Sequence, residues 1–179
     1  RMAGPREVKV LQYSKRAGQR PEVNTLRVLG NQRLPAGGNS GVFYRAADAS
    51  PVWARAVEYQ LLDDREAEDR IVPSHRAGAV YDLVAPRHDA LRPIDAYNHA
   101  RIVACGPHVE HWLNGVRVAT YDLDSDDWKR RVAGSKFAGQ VDFAKARRGH
   151  LALQDHGNAV YLRSLRIRAL GPDCKPASL

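Results

Sequence analysis

The chain contains no run of about 18 apolar residues, so no segment reads as a helix able to cross a bilayer. Cysteine is scarce: Cys105 and Cys174 are the only two, and their spacing matches no zinc-ligand pattern. Cys105 lies in a strand-like run and Cys174 in a polar tail. That placement reads as a buried thiol plus a tail thiol, with a disulfide as the alternative. No internal repeat or low-complexity tract is present, which excludes a solenoid or array. No signal peptide is visible after Arg1, which is compatible with a removed leader. Acidic residues are almost missing from the first part of the chain. Residues 1–33 carry Arg1, Arg6, Lys9, Lys15, Arg16, Arg20, Arg27 and Arg33 against Glu7 and Glu22 alone.

That imbalance accounts for most of the net charge of +8. The excess belongs to an N-terminal arm and the remainder is nearly balanced. A solvated arm is therefore expected rather than a folded nucleic-acid face. At 179 residues, 44% hydrophobic and 27% charged, the chain has the size and composition of one globular domain with a sizeable core.

Strand signals dominate. The runs "GVFYRA" (41–46), "AVEYQLL" (56–62), "AGAVYDLV" (77–84), "NHARIVACG" (98–106), "HVEHWLNGVRVATYDL" (108–123), "GHLALQDHG" (149–157) and "AVYLRSLRIRAL" (159–170) all read as extended. Asn114-Gly115 between two apolar runs is a strong hairpin signal. Arg163, Arg166 and Arg168 break strict alternation in the last run, so a bulge is expected there. "TLRVLGNQRL" (25–34) can pair as the strand before the Gly-rich turn. Helical signals are few. "DDREAEDRI" (63–71) suits a turn or two, and "DSDDWKRRVAGSKF" (124–137) suits a helix capped by Asp124 or Ser125. Many short strands with little helix predict an all-β sandwich or barrel.

Pleat parity then sorts the polar residues, because side chains at i and i+2 share a face. Phe43 shares a face with Arg45, Glu58 with Gln60, and Gln154 with His156. Three strands therefore each offer a polar face backed by an apolar one. Those polar faces can assemble into one wet, concave surface while the apolar faces meet in the core. Blander readings stand beside this one. Arg45 and Glu58 can form a simple cross-strand ion pair, Asp155 can serve its own turn, and His111 can be an ordinary packed histidine. In "GGNSG" (37–41) a plain turn competes with Asn39 or Ser40 reaching a ligand. His75 and His88 lie in loops and carry no sharp signal.

The segments "PAGGNSGVFYR" (35–45), "VEYQLLDD" (57–64), "AGAVYDL" (77–83), "VEHWLNGV" (109–116), "SKF" (135–137) and "GHLALQDHG" (149–157) followed by "LRSLRIR" (162–168) occur in the order found in one known family. Through them the chain resembles the 3-keto-disaccharide hydrolase family from about residue 34 to 170. The resemblance implies a concanavalin-like jelly-roll β-sandwich of two antiparallel sheets with one or two short helices, related in fold to laminarinase and legume-lectin domains. With the charge pattern this gives three expected parts: a basic N-terminal arm over 1–33 with room for one strand, the sandwich over 34–170 and a polar tail over 171–179. The resemblance also implies a secreted or periplasmic location. Residues 1–33 depart from the pattern, since the "LFNG…GW" opening and the "DG.L" and "DFEL" strands of the family are missing.

The resemblance further implies glycosidic cleavage of a substrate oxidised at C3. A ketone at C3 acidifies the C2 hydrogen; a base removes it, the enolate expels the group at C1, and water adds back or the unsaturated sugar leaves. This needs one base, a cation or donor beside the ketone oxygen, and an acid for the leaving group. Glu58 or His156 is expected as the base, with the other assisting departure and Arg45 stabilising the oxyanion. Gln60 and Gln154 would hold hydroxyls, and Asn39, Tyr81, His111, Lys136 and Asp155 complete the candidate substrate-binding set. No cofactor is required, but a divalent metal held by Glu58, Asp155 and His156 could take the place of Arg45.

Two other functions remain open. A carbohydrate-binding module would present the same surface without chemistry. A conventional glycoside hydrolase would need a second carboxylate. Gln60 stands where that second acid is expected, leaving Asp63, Asp64 or Asp155. The partner expected in every case is a small saccharide, with no nucleic acid and no membrane insertion.

Overall fold

The structure is a computed structural model, and it describes residues 7–11, 25–47, 51–170 and 174. Among the described residues, nine strands form two antiparallel sheets. They are β1 (Glu7–Leu11), β2 (Thr25–Arg33), β3 (Asn39–Ala46), β4 (Val57–Leu62), β5 (Asn98–Cys105), β6 (His108–Leu113), β7 (Val116–Asp122), β8 (His150–Asp155) and β9 (Tyr161–Ala169). One sheet has the order β1-β8-β3-β4 and the other β7-β6-β5-β2-β9. The one α-helix among the described residues, α1 (Asp126–Ala133), starts where Ser125 accepts a hydrogen bond from the Trp128 amide at 3.1 Å.

The fold class read from the sequence is the one observed, an all-β sandwich of two antiparallel sheets with a short helix. Parity explains the core. Val42, Tyr44, Val57, Tyr59 and Leu61 project from the four-stranded sheet onto Ile102, Ala104, Val109, Ala119 and Tyr121 of the other. Trp128 closes one end, stacked on Tyr121 with centroids 4.5 Å apart. Asn114 and Gly115 both have positive φ (49° and 87°), as a tight hairpin turn requires.

Three expectations are corrected, the first in part. The 25–34 run pairs as expected, with β2 between β5 and β9, but β1 pairs with β8 where a solvated arm was expected. The remainder of that arm, residues 1–6 and 12–24, lies outside the described residues, as does the 171–179 tail apart from Cys174. Residues 77–84 do not make a strand. Positive φ at Gly78 (81°) and Asp82 (62°) folds the run into turns, and its extended pairing is limited to isolated bridges of Val80 with Tyr59 and with Val84. The cysteines are paired: a Cys105–Cys174 disulfide ties the chain beyond β9 to the end of β5.

Candidate functional site

Glu58 and Gln60 point away from the core, because their neighbours Val57, Tyr59 and Leu61 fill it. Both are nevertheless buried, with Glu58 6% exposed and Gln60 1%. The chain after β4 folds back along its edge. Gly78 N donates to Gln60 O at 2.9 Å, Gln60 N to Ala79 O at 3.2 Å and Tyr81 N to Glu58 O at 3.2 Å. This return sets Tyr81 beside Glu58. Lys136 comes from the turn after α1, where its amide donates to Asp82 Oδ2 at 2.9 Å. Its Nζ lies 4.0 Å from the Tyr81 ring centroid, a cation–π contact.

Three further side chains complete the cluster. Asp69 Oδ2 accepts from Asn39 Nδ2 at 3.3 Å and from the Tyr81 hydroxyl at 3.4 Å. His75 stacks on Tyr81 with centroids 4.3 Å apart. It lies between Asp82 Oδ1, 3.1 Å from Nε2, and Asp69 Oδ1, 3.6 Å from Nδ1.

Burial drives the electrostatics here. It pushes the Glu58 carboxyl up to about 8; Lys136 opposes the rise and Asp69 adds to it. Burial also lowers the Lys136 ammonium, while Glu58, Asp82 and Asp69 hold it up. The Tyr81 phenol is raised, first by burial and then by Asp69 and Glu58. The Gln60 amide lies 3.2 Å from both Asn39 Oδ1 and Glu58 Oε1. A protonated Glu58 can donate to its oxygen. With the amide turned over, its nitrogen donates to an ionised Glu58. One side chain thus suits both protonation states.

The structure brings together Asn39, Glu58, Gln60, Tyr81 and Lys136. Gln154 lies one strand away: Leu153 is opposite Val42, which sets Gln154 level with Gly41 on the outer face. Four candidates lie elsewhere. Arg45 fails on parity, because the β3–β8 register shifts between Phe43 and Ala46 and Arg45 has φ 53°. Its side chain turns to the other sheet, where Nη2 donates to Gly106 O at 2.7 Å. It lines a crevice with Tyr44, Arg55, Tyr121 and Leu123, and no member of the Glu58 cluster takes part in that crevice.

His111 is a core residue of β6, fully buried and bonded to Tyr44 and Gly78. Asp155 serves its turn, with Oδ1 accepting from Gly157 N at 2.9 Å. His156 is exposed just beyond β8. Glu58, Asp155 and His156 therefore do not converge as a metal set, and no three His, Cys, Asp or Glu side chains do so among the described residues. Asp69, His75 and Asp82 were not anticipated. The sequence's only sign of them is the density of acids and a histidine between residues 63 and 82.

A buried carboxyl with a solvent-facing ammonium beside it, on the outer face of a β-sandwich and rimmed by hydroxyl, amide and imidazole groups, makes up a site able to do acid–base work on a polar ligand. Comparison with known proteins gives the family. Residues 26–168 match the 3-keto-alpha-glucoside-1,2-lyase-like domain, and the chain belongs to that family. It is 26% identical to a Bacteroides thetaiotaomicron protein named 3-keto-disaccharide hydrolase, over 77% of this chain and 56% of that one. The chain thus spans little more than half the length of that curated relative. Two solved structures of candidate glycosyl hydrolases from Parabacteroides distasonis are also similar. One has a TM-score of 0.77 and 26% identity, covering 83% of this chain and 73% of its own. The other has a TM-score of 0.66 and 25% identity, covering 81% and 78%.

Proposed function

We propose that this domain cleaves the glycosidic bond of 3-keto-glycosides, with Glu58 as the general base. The observation that carries the reading is a buried carboxyl whose pKa is raised to about 8, with the Lys136 ammonium acting on it across the Tyr81 ring. A catalytic group works best with a pKa near the operating pH, and burial supplies that here. Glu58 takes the C2 proton. The C–H electrons form the C2–C3 double bond, and negative charge moves to the C3 oxygen. Lys136 is assigned to that oxygen, the role expected of Arg45 from the sequence. The enolate then collapses and the C1–O bond breaks. The departing oxygen takes a proton, for which His75, set between Asp69 and Asp82, is our candidate donor. Water addition across the resulting double bond gives net hydrolysis; release without it gives a lyase product.

Family membership and the name of the curated relative support this substrate class. The Cys105–Cys174 disulfide supports a secreted or periplasmic location, where such bonds persist. One observation favours a second reading. Asp69 acts electrostatically on Glu58, so the site contains two carboxylates, as a conventional glycosidase needs. Asp69, however, is already engaged by Asn39 and Tyr81, which suits an orienting anion better than a nucleophile.

The test is product analysis with a nitrophenyl 3-keto-glucoside and its unoxidised counterpart. Release of nitrophenol from the keto compound alone, abolished in Glu58→Gln, is expected. Turnover of the unoxidised glycoside would establish the conventional hydrolase. Binding of either without turnover would establish a carbohydrate-binding module.

A further inference from the structure

The net charge outside residues 1–33 is small, but the sandwich does not distribute it evenly. Ile102 and Ala104 of β5 are buried against the core, so Arg101 points to the outer face of the five-stranded sheet. Val109, His111 and Leu113 of β6 are buried likewise, so Glu110 and Trp112 point outward. On β9, Ile167 packs on the core and Arg166 and Arg168 flank it. The bulge expected from the sequence is present. The β2–β9 register shifts between Leu29 and Asn31, and Ser164 has φ 55°. The extra residue returns Arg163 to the face of Arg166 and Arg168. Arg33 and Arg117 add to the same face.

Aromatic rings hold several of these guanidiniums. Arg101 lies 3.9 Å from the Trp112 centroid, Arg163 3.6 Å from Tyr97, and Arg33 4.0 Å from Tyr161. Acids answer only part of the charge: Glu110 pairs with Arg117 at 2.8 Å and Asp95 with Arg33 at 3.6 Å. Arg163, Arg166 and Arg168 are exposed and take part in no ion pair among the described residues.

We propose that this outer face binds an acidic polysaccharide through its sugar carboxylates. Charge complementarity calls for a polyanion, and the rings decide which kind. Each of the three already bears a guanidinium on one face. That reduces the surface open to stacked bases, and the exposed guanidiniums of Arg163, Arg166 and Arg168 are the contact groups. Guanidinium edges match carboxylates in two-pronged geometry. Arg166 and Arg168 lie two residues apart on β9, roughly 7 Å by ordinary strand rise, and Arg163 follows across the bulge. The face therefore presents charges spaced along an extended chain rather than gathered around one anion. This surface is separate from the Glu58 cluster, which lies on the other sheet, so the proposal does not rest on the catalytic reading.

Calorimetric titration with oligogalacturonides, neutral maltooligosaccharides and a poly-dT strand tests it. Oligogalacturonides should bind, bind more weakly as salt rises, and lose affinity by about tenfold in the double variant Arg163→Ser, Arg166→Ser. Neutral chains should not bind. The double variant should melt as wild type does and keep any turnover of small 3-keto-glycosides. Equal binding of neutral chains, no binding of oligogalacturonides, or affinity unchanged in the double variant would overturn the proposal. So would tighter binding of poly-dT that the same variant abolishes, which would make this a nucleic-acid surface.

Discussion

The Glu58 carboxylate lies over Gly41, in the space where any other residue would place its Cβ. Gly41 is opposite Gln60 on the paired strand, so the missing side chain opens a socket beside the amide that attends the carboxylate. The φ of Gly41 is not positive, so the requirement for glycine here is one of room rather than of backbone conformation.

Gly41→Ala should therefore displace the carboxylate while leaving the strand intact. Misplacement of a catalytic group by about 1 Å costs on the order of 10²-fold in rate. Turnover of a 3-keto-glycoside should fall by about that much, with far-UV circular dichroism unchanged. Wild-type turnover in this variant would remove Glu58 from the reaction, because the socket and the carboxylate cannot both be kept.

Lys136 lowers the Glu58 pKa from across the site. Lys136→Met removes that attraction, so the Glu58 pKa should rise further. The limb of the pH–rate profile that reports the ionised base should shift to higher pH. The rate at its plateau should fall by about 10²-fold or more through loss of the cation at the enolate oxygen. A variant with lower rate but an unmoved profile would place Lys136 outside the reach of Glu58.

Glu58 also leaves a mark on stability. Its folded pKa of about 8 lies above the ordinary 4.5, so between those values the folded state holds a proton that the unfolded state has lost. The contribution is complete below about pH 4.5 and disappears as pH rises through 8. Wild type should lose melting temperature across this window relative to Glu58→Gln, which has nothing to ionise. Parallel melting curves for the two proteins from pH 5 to 9 would contradict the burial argument.

The sandwich was legible because hydrophobic alternation is local: each run of about six residues carries its own inside and outside. Asn39, Glu58, Gln60, Tyr81 and Lys136 were legible too, as polar positions within segments that identify the family. Arg45 was misplaced because parity holds only while pairing is regular, and a bulge at that residue reverses its side. Another bulge, at Ser164, was anticipated because three arginines out of phase announced it. Asp69, His75 and Asp82 were not legible. They meet only after the chain turns at Gly78 and returns along β4, and no periodicity encodes such a return. The basic face of the five-stranded sheet was hidden for the opposite reason. Counting charge along the chain averages out what strand pairing gathers together.

His111 looks like a site residue in sequence and is a structural one in the fold, and its tautomer follows from its partners. The Gly78 carbonyl can only accept, so His111 Nδ1 carries the hydrogen and donates to it at 3.0 Å. Nε2 must then accept from the Tyr44 hydroxyl at 2.7 Å, and Tyr44 in turn accepts from the Tyr121 hydroxyl at 2.7 Å. The chain of bonds is complete only while the imidazole is neutral, and burial depresses its pKa to about 4. Tyr44→Phe should leave the Nε2 acceptor and the Tyr121 donor unmatched in the core, costing about 1–3 kcal/mol of stability. Catalysis should survive, since Tyr44 points into the core and Glu58 away from it. The sign on pH is opposite to that of Glu58. A histidine with a depressed folded pKa contributes stability above its unfolded value near 6.5, and loses it as pH falls toward 4. His111→Gln cannot take up a proton, so its melting temperature should depend less on pH over that window than that of wild type. Equal acid sensitivity in the two proteins would mean that the imidazole is not held neutral in the fold.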